Sequence, residues 1–317
     1  MHIPDGFVDV KTAVTAAALA AGGLGLALNQ AKRELPPRRV PLLGLGAAFV
    51  FAAQMVNFPV AGGTSGHLIG GALIAALLGL PAAVIVMTTV LIAQCLLFAD
   101  GGVTALGANV FNLAVVAPCA GLVVFRAVSR MMPGLRGQVA ALAFGGWCST
   151  VAASLACAGQ LAWSGTVGWA AALPAMTGIH MIIGLGEGVI SALAFYAVAR
   201  ARPELVGGTA SEAGGARGFI KHGLLATLGV ALFAAPFACP WPDGLEAVAA
   251  KLGFEHAARA AAPAPMPDYV FPWLGDAGLA TAVAGLVGAL VVFALAVLLS
   301  RAVVRGGPAG RVSVDGR

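Results

Sequence analysis

The first two residues of the chain and a histidine at position 67 carry the most distinctive chemistry of the sequence. A free α-amine has a pKa near about 8 and loses its proton readily to a metal ion. With histidine second, the Met1 amine, the His2 amide nitrogen and the His2 imidazole can chelate one ion in fused small rings. Ions that displace an amide proton, such as Ni(II) or Cu(II), prefer planar nitrogen ligation. One position of that plane is left, and His67 can supply it.

The chain around these groups is suited to bring them together. Pro4 and Gly6 permit a sharp turn that folds the amino terminus back toward the rest of the protein. Three glycines close to His67 would let the facing loop approach the turn; they are Gly62, Gly63 and Gly66. No cationic region precedes an apolar run at the start of the sequence, so we expect no cleaved signal peptide and Met1 as the mature terminus.

Composition places these groups in a membrane protein. Of the 317 residues, 60% are hydrophobic and only 10% are charged, and the mean hydropathy is +0.94. Soluble domains carry about 25% charged residues. The basic residues form short clusters between apolar runs and no patch interleaved with aromatic residues, so the net charge of +5 indicates membrane topology and no nucleic-acid partner. We therefore predict an all-α, polytopic protein of the lipid bilayer.

Apolar runs long enough to cross a membrane, or somewhat shorter inside a bundle, predict nine membrane spans. A single helix over 67–98 would be roughly 46 Å long, beyond a hydrocarbon core of about 30 Å, so we divide it at Pro81. The nine segments are 8–29, 40–58, 67–80, 82–98, 107–130, 136–162, 173–199, 222–239 and 277–300.

Charge asymmetry predicts the orientation. With nine spans and the amino terminus outside, only Lys11, Lys251 and Arg259 of the 18 basic residues lie outside. This bias predicts a multi-pass protein of the cell's inner (plasma) membrane with a cytoplasmic carboxyl terminus. The predicted divisions are a seven-helix bundle at 1–200, a cytoplasmic linker at 201–221, a two-span unit at 222–305 with an outside loop at 240–276, and a cytoplasmic tail at 306–317.

Common enzyme signatures are missing from the sequence. It contains no Gly-x-x-x-x-Gly-Lys-Ser/Thr loop, no Gly-x-Ser-x-Gly elbow and no His-Glu-x-x-His pair. The cysteines are odd in number and show no Cys-x-x-Cys spacing, so we expect small buried hydrophobic residues; they are Cys95, Cys119, Cys148, Cys157 and Cys239. We predict a protein without catalytic residues.

Several motifs resemble those of the CbiM/NikM family, the substrate-capturing membrane subunits of energy-coupling-factor importers for cobalt and nickel ions. They are Met1-His2-Ile3-Pro4-Asp5-Gly6-Phe7, Ser65-Gly66-His67-Leu68-Ile69-Gly70-Gly71, Ala99-Asp100-Gly101-Gly102-Val103-Thr104-Ala105-Leu106-Gly107-Ala108-Asn109, and Gly178-Ile179-His180 with Gly186-Glu187-Gly188. Residues 222–305, with Pro242-Asp243-Gly244-Leu245-Glu246 and Pro267-Asp268-Tyr269, resemble the two-span PDGLE component, similar in role to CbiN/NikN. The two parts are fused in this chain.

The resemblance implies a function and a ligand set. It implies that Ni(II) or Co(II) is transported and is held by the Met1 amine, the His2 amide and imidazole nitrogens, and the His67 imidazole. It implies seven spans in the capturing part. It also implies two kinds of partner, a transmembrane coupling subunit and cytoplasmic ATPase subunits that would hydrolyse the ATP.

Other polar residues leave two interpretations open. His180 and Glu187 are seven residues apart on one helix face, and they either steady the loops of the site or fasten helices together. Residues that could hold the amino-terminal turn or the Thr64-Ser65 loop, or simply cap helices, lie near the outer ends of the predicted spans; they are Asn57, Gln94, Asp100, Asn109 and Asn112. We favour a cap for Asp100 and a helix start for Asp243 and Glu246.

Two other functions would fit the sequence less well. A self-contained secondary carrier or channel needs ionisable groups at the midplane, for which only His180 and Glu187 are candidates. A membrane scaffold would bind no metal at all. The sequence does not choose between nickel and cobalt, because both accept amine and imidazole nitrogen.

Overall fold

The computed structural model describes residues 1–206, 216–260 and 262–305, and its fold is all-α with one short hairpin. Within these residues seven helices are long and apolar enough to cross a membrane. The seven are α1 (Val10–Glu34), α4 (Leu80–Phe98), α5 (Leu106–Met131), α6 (Leu135–Trp163), α7 (Trp169–Ala201), α9 (Gly218–Phe237) and α11 (Ala277–Arg305). The remaining helices are α2 (Val40–Gln54), α3 (Gly71–Leu78), α8 (Pro203–Val206) and α10 (Gly244–Leu252). The predicted fold class is confirmed.

The predicted pair of helices over 67–98 is present, but its first member is short. Helix α3 has 8 residues, about 12 Å of helix, and α4 has 19. Gly79 separates them with a φ of 89°, a conformation that favours glycine, and Pro81 lies in the first turn of α4. The chain reverses at this break, so that the residues before α3 and after α4 lie at the same end of the bundle.

Residues 67–70 precede α3 without forming helix, and their backbone is satisfied by side chains. The two carboxylate oxygens of Glu187, on α7, accept hydrogen bonds from the backbone N–H groups of Ile69 and Gly70. The Gln54 side-chain amide donates to the Ile69 carbonyl at 2.9 Å. Non-helical backbone at membrane depth is stable only when its polar groups have such partners. Glu187 therefore steadies the loop that carries His67.

A two-stranded antiparallel hairpin leads into this segment. Strand β1 (Phe58–Val60) pairs with β2 (Thr64–Gly66), with Pro59 opposite Ser65. Gly62 and Gly63 form its turn with φ of 77° and 75°, and no atom lies within 4 Å of a Cβ built on either. The expectation that these two glycines allow a close approach is wrong, because their function is the left-handed turn. Gly66 is the close contact, and it packs against Ile183 of α7.

Small residues let the long helices approach one another closely. A Cβ on Gly145 of α6 would lie 2.8 Å from the Gly121 carbonyl oxygen of α5. A Cβ on Gly188 of α7 would overlap the Ala143 carbonyl of α6. Such contacts are favoured in lipid, where van der Waals packing and not hydrophobic burial drives association.

The carboxyl-terminal part packs onto the bundle. Helix α11 contacts α2 and α4, and Gly288 of α11 lies directly on the rings of Phe51 and Phe98. Part of the predicted linker, residues 207–215, and the predicted tail, 306–317, lie outside the described residues. The five cysteines are free and buried or half-buried, as expected.

The role of Glu187 can be tested by stability. Glu187→Ala leaves two buried N–H groups without acceptors, and we expect the free energy of unfolding to fall by about 2 to 6 kcal/mol. Glu187→Gln keeps one acceptor and should lose less. Thermal unfolding in detergent measures both, with Glu34→Ala on the exposed face of α1 as the control. Equal stability of Glu187→Ala and the control would contradict this role.

Candidate metal centre

The first nine residues, which we call the hook, fold back into one end of the bundle. Ile3 is fully buried, and its backbone N–H and carbonyl both bond the Asn109 side chain, at 2.8 and 3.0 Å. The Ile3 carbonyl also accepts from the Gly102 N–H at 2.8 Å. Asn109 thus binds the hook as a backbone strand would, and the position of His2 is fixed from its neighbour.

The loop after α4 closes around the next turn of the hook. The Asp5 carboxylate accepts hydrogen bonds from the backbone N–H groups of Val103 and Thr104 and from the Thr104 hydroxyl. Gly102 packs on the Asp5 backbone so closely that a Cβ would overlap it. Gly6 adopts a φ of 94°, as the predicted sharp turn requires. The hook is therefore a defined structure with its own polar partners.

The hook brings the Met1 amine against His67. The amine nitrogen lies 2.9 Å from His67 Nε2, and both residues are buried. Two nitrogen ligands at adjacent corners of a square, each about 2.05 Å from one ion, are separated by roughly 2.9 Å. The spacing therefore suits two neighbouring ligands of a single cation. The His2 and His67 rings are stacked, with centroids 5.5 Å apart.

The surroundings of His67 leave the lone pair of its Nε2 free to bind a metal ion. Nδ1 lies 3.0 Å from the Leu68 carbonyl oxygen, a contact that places the ring proton on Nδ1 and the lone pair on Nε2. Burial, the Met1 ammonium and His2 lower the pKa of His67 to about 3, so the ring is neutral at physiological pH. A neutral imidazole is the form that binds metal ions.

The Met1 amine also pairs with Asp243 of the carboxyl-terminal part. The amine lies 2.5 Å from Asp243 Oδ2, and 17% of the aspartate side chain is exposed. Burial by itself lowers the pKa of the amine, but Asp243 more than offsets this, and the pKa is raised above its ordinary value. Burial raises the pKa of Asp243, yet the Met1 ammonium beside it holds that pKa well below the usual range. The two groups form an ion pair between a buried amine and a half-buried carboxylate.

His2 is held by a second aspartate. Its Nδ1 lies 3.0 Å from Asp100 Oδ1, and the other carboxylate oxygen accepts a hydrogen bond of 2.5 Å from the Tyr269 hydroxyl. The prediction that Asp100 caps a helix is wrong. Asp100 follows the end of α4, and its carboxylate is used by His2 and Tyr269 because the hook and the carboxyl-terminal loop meet there.

His180 lies beside these groups without joining them. Its Nδ1 contacts the Met176 carbonyl at 2.7 Å, and its buried Nε2 has no hydrogen-bond partner among the described residues. A small cavity lies between this ring, Met1, His67 and Asp243. Nε2 faces Gly244, where an added Cβ would lie 2.9 Å away. The His180 ring thus packs against the turn that carries Asp243.

Of the other predicted residues, some contact the carboxyl-terminal part and the rest contact residues of the bundle. Ser65 donates its hydroxyl to the Trp241 carbonyl and its N–H to the Pro242 carbonyl, and so binds the turn before α10. Thr64 is buried in β2 opposite Val60. The Asn57 carbonyl accepts from Cys239, away from the hook. Gln94 bonds Gln54, and Asn112 bonds Gln160.

The nitrogens of Met1, His2 and His67 remain the candidate metal ligands at this place. Among the described residues no three His, Cys, Asp or Glu side chains are arranged to hold one ion. The sequence reasoning placed Asp243 correctly at a helix start, where it completes a capping box with Glu246, but missed its contact with the amine. The contact of Tyr269 with Asp100 was not predicted either, because the sequence shows only that Tyr269 belongs to the Pro267-Asp268-Tyr269 motif.

Comparison with known families identifies both parts of the chain. Residues 2–205 match the family CbiM, described as a cobalt-uptake substrate-specific transmembrane region. Residues 217–305 match the PDGLE domain.

Individual proteins are similar along most of the chain. NikMN of Archaeoglobus fulgidus is 37% identical over 303 residues, which cover 95% of this chain and 98% of that protein. The fused nickel transport protein NikMN of Rhodobacter capsulatus is 33% identical, covering 65% and 64% of the two chains. A cobalt transport protein (CbiM) of Pelobacter propionicus is 33% identical, covering 68% and 98%.

A solved structure is also similar. The crystal structure of a transition metal transporter is 34% identical and superposes with a TM-score of 0.59, covering 66% of this chain and 98% of that one.

The two hydrogen bonds between Asn109 and Ile3 predict a change in the amide exchange of the hook. Asn109→Ala removes both side-chain bonds to Ile3, worth about 1 kcal/mol each, so amide exchange of Ile3 should accelerate roughly 10- to 30-fold. Asn112→Ala, on the same helix but bonded to Gln160, is the matched control and should leave this exchange unchanged. Hydrogen exchange read by mass spectrometry distinguishes the two, and equal exchange in both variants would show that Asn109 does not hold the hook.

Proposed function

The chain belongs to the CbiM family and carries a PDGLE domain behind it, and on this basis we propose that it is the substrate-capturing membrane subunit of an energy-coupling-factor importer for nickel or cobalt ions. The ion binds from the outer side. Its ligands are the Met1 amine, the His2 amide and imidazole nitrogens, and His67 Nε2.

One observation carries the ligand assignment, the buried contact of 2.9 Å between the Met1 amine and His67 Nε2. The hook has the bonds needed to present its first residues as a fixed group. To complete the plane, His2 Nδ1 has to turn from Asp100 toward the ion, because only Nδ1 closes a six-membered ring with the His2 amide nitrogen. The His2 and His67 rings are stacked with centroids 5.5 Å apart, which supports a shared site for the two imidazoles.

This ligand set explains selectivity by chemistry. Mg(II) and Ca(II) prefer oxygen ligands and displace no amide proton, whereas Ni(II) and Co(II) bind amine and imidazole nitrogen well. The affinity order for such ligands rises from cobalt to nickel. Similar proteins carry both metals in their names, and either ion suits the site.

Transport requires partners that hydrolyse ATP. The chain contains no phosphate-binding loop, so the energy has to come from cytoplasmic ATPase subunits acting through a transmembrane coupling subunit. Release of the ion requires the planar ligand set to be broken, for example by withdrawing the hook from His67. These partners and this step belong to the proposal.

The structure favours this function over a self-contained carrier. Glu187 is one of only two midplane candidates in the sequence, and both of its oxygens are bonded to the backbone of Ile69 and Gly70. A group that carries or relays an ion has to exchange its hydrogen-bond partners. Glu187 cannot do so without leaving the Ile69 and Gly70 N–H groups unpaired.

An extended amino terminus tests the role of the Met1 amine. Two alanines inserted before Met1 move the free amine out of the chelate and place the histidine fourth, where the new amino terminus forms no planar chelate of its own. We expect high-affinity nickel and cobalt binding to be lost while thermal stability persists, and isothermal titration of the full chain measures the affinity. The same two alanines added after Arg317 are the control and should change nothing. Unchanged binding by the chain with the extended amino terminus would refute the chelate.

Substitution of His67 tests the fourth ligand. His67→Ala removes one nitrogen from the plane and should weaken nickel binding more than about 100-fold. His222→Ala changes an exposed histidine of α9 and should bind as the unmodified chain does. The same titration compares them, and equal affinities in the two variants would show that His67 is not a ligand.

A further inference from the structure

We propose that Asp243 of the PDGLE part is a positioning residue for the metal centre, where it holds the Met1 amine beside His67 and supplies the buried charge that balances the bound cation. This inference rests on the proposed function, because it concerns the same site. It assigns to the carboxyl-terminal unit a direct part in metal capture.

The two oxygens of Asp243 have separate partners. Oδ1 accepts hydrogen bonds from the backbone N–H groups of Leu245 and Glu246, at 2.7 and 2.9 Å, and so starts helix α10. Oδ2 accepts from the Met1 amine. A helix cap needs only the first of these oxygens. The second is directed at a group of the other family domain, 242 positions away along the chain.

The turn that carries Asp243 is fixed on the bundle at two further points. Ser65, two residues before His67, donates to the carbonyls of Trp241 and Pro242. Gly244 lies on the His180 ring so closely that any larger residue would push α10 outward. The carboxylate is therefore held in place by rigid elements, which is what positioning a ligand requires.

The charges at the site determine what Asp243 contributes. When M(II) binds as proposed, the amine and the His2 amide each release one proton to water. The ammonium and the neutral amide carry one positive charge together; the ion with the neutral amine and the deprotonated amide also carries one. Asp243 thus faces a single positive charge before and after binding. Burying a charge without such a partner is strongly unfavourable.

Removal of Asp243 takes away one of the two side-chain contacts of the Met1 amine. The amine then keeps only its contact of 2.9 Å with His67 Nε2. Binding of the ion then has to order the end of the hook as well, so the loss of Asp243 should weaken binding.

The PDGLE part reaches the second ligand residue by a parallel route. The Tyr269 hydroxyl donates to Asp100, whose other oxygen contacts His2. In addition, the Arg259 N–H donates to the Asp5 carbonyl of the hook at 2.8 Å. These contacts agree with a carboxyl-terminal loop that encloses the hook, with Asp243 as the member that touches a ligand atom directly.

The test compares two variants of the same turn in the full fused chain. Asp243→Asn keeps a side-chain oxygen to cap α10 but removes the charge beside the amine. Glu246→Gln weakens the same capping box without contacting the amine, and it is the matched control. Nickel affinity is measured by isothermal titration, the absorption spectrum at nickel saturation reports the ligand geometry, and thermal unfolding reports the fold.

We expect Asp243→Asn to bind nickel at least about 10-fold more weakly than Glu246→Gln, with the planar nickel spectrum retained at saturation because the four nitrogens remain. Asp243→Ser, which also caps, should behave as Asp243→Asn does and carries the test if the asparagine variant unfolds. Equal affinity in the charge-removing and control variants, or a changed spectrum at saturation, would overturn the inference. If the unmodified chain binds no nickel, the proposed function itself fails.

Discussion

A positively charged amino terminus buried at the end of a helix bundle is stable only beside an opposite charge. Met1 is 5% exposed, and Asp243 supplies that charge from a distant part of the sequence. The pairing holds the end of the hook beside His67. It also ties the PDGLE part to the end of the bundle that carries the hook, since the turn around Asp243 has to reach the amine.

The second constraint is that the loop bearing His67 leaves the helical conformation inside the bundle. Helices satisfy their own backbone groups, but residues 67–70 do not, so Glu187 and Gln54 take the place of the missing hydrogen bonds. This solution fixes the loop rigidly from both neighbouring helices. A histidine on such a loop keeps one orientation. A group that binds a metal ion needs its position to be fixed in this way.

The sequence alone suggests a chelate at Met1 and His2, but it does not reveal what surrounds these residues. The chelating capacity of Met1 and His2 is local, because adjacent atoms of two residues form the rings, and it can be recognised without knowing the fold. The helix start at Asp243 is local as well, and it was predicted. Its contact with the amine joins residues 242 positions apart, and no pattern in the sequence encodes such a pairing.

The errors have physical causes of the same kind. Asp100 at the end of a span was expected to cap a helix, since the hook that recruits it is visible only in three dimensions. The segment 67–80 was predicted as a span because hydropathy measures apolar content and does not report that Glu187 and Gln54 can support non-helical backbone. The glycines at positions 62 and 63 suggested a close approach, but the same residue type also serves a tight turn.

The most direct test of the account is nickel K-edge X-ray absorption spectroscopy on the loaded full chain with its native amino terminus. The account predicts a planar edge feature, four short nitrogen neighbours, and multiple scattering from two imidazole rings. A six-coordinate shell dominated by oxygen, or scattering from a single imidazole, would contradict it.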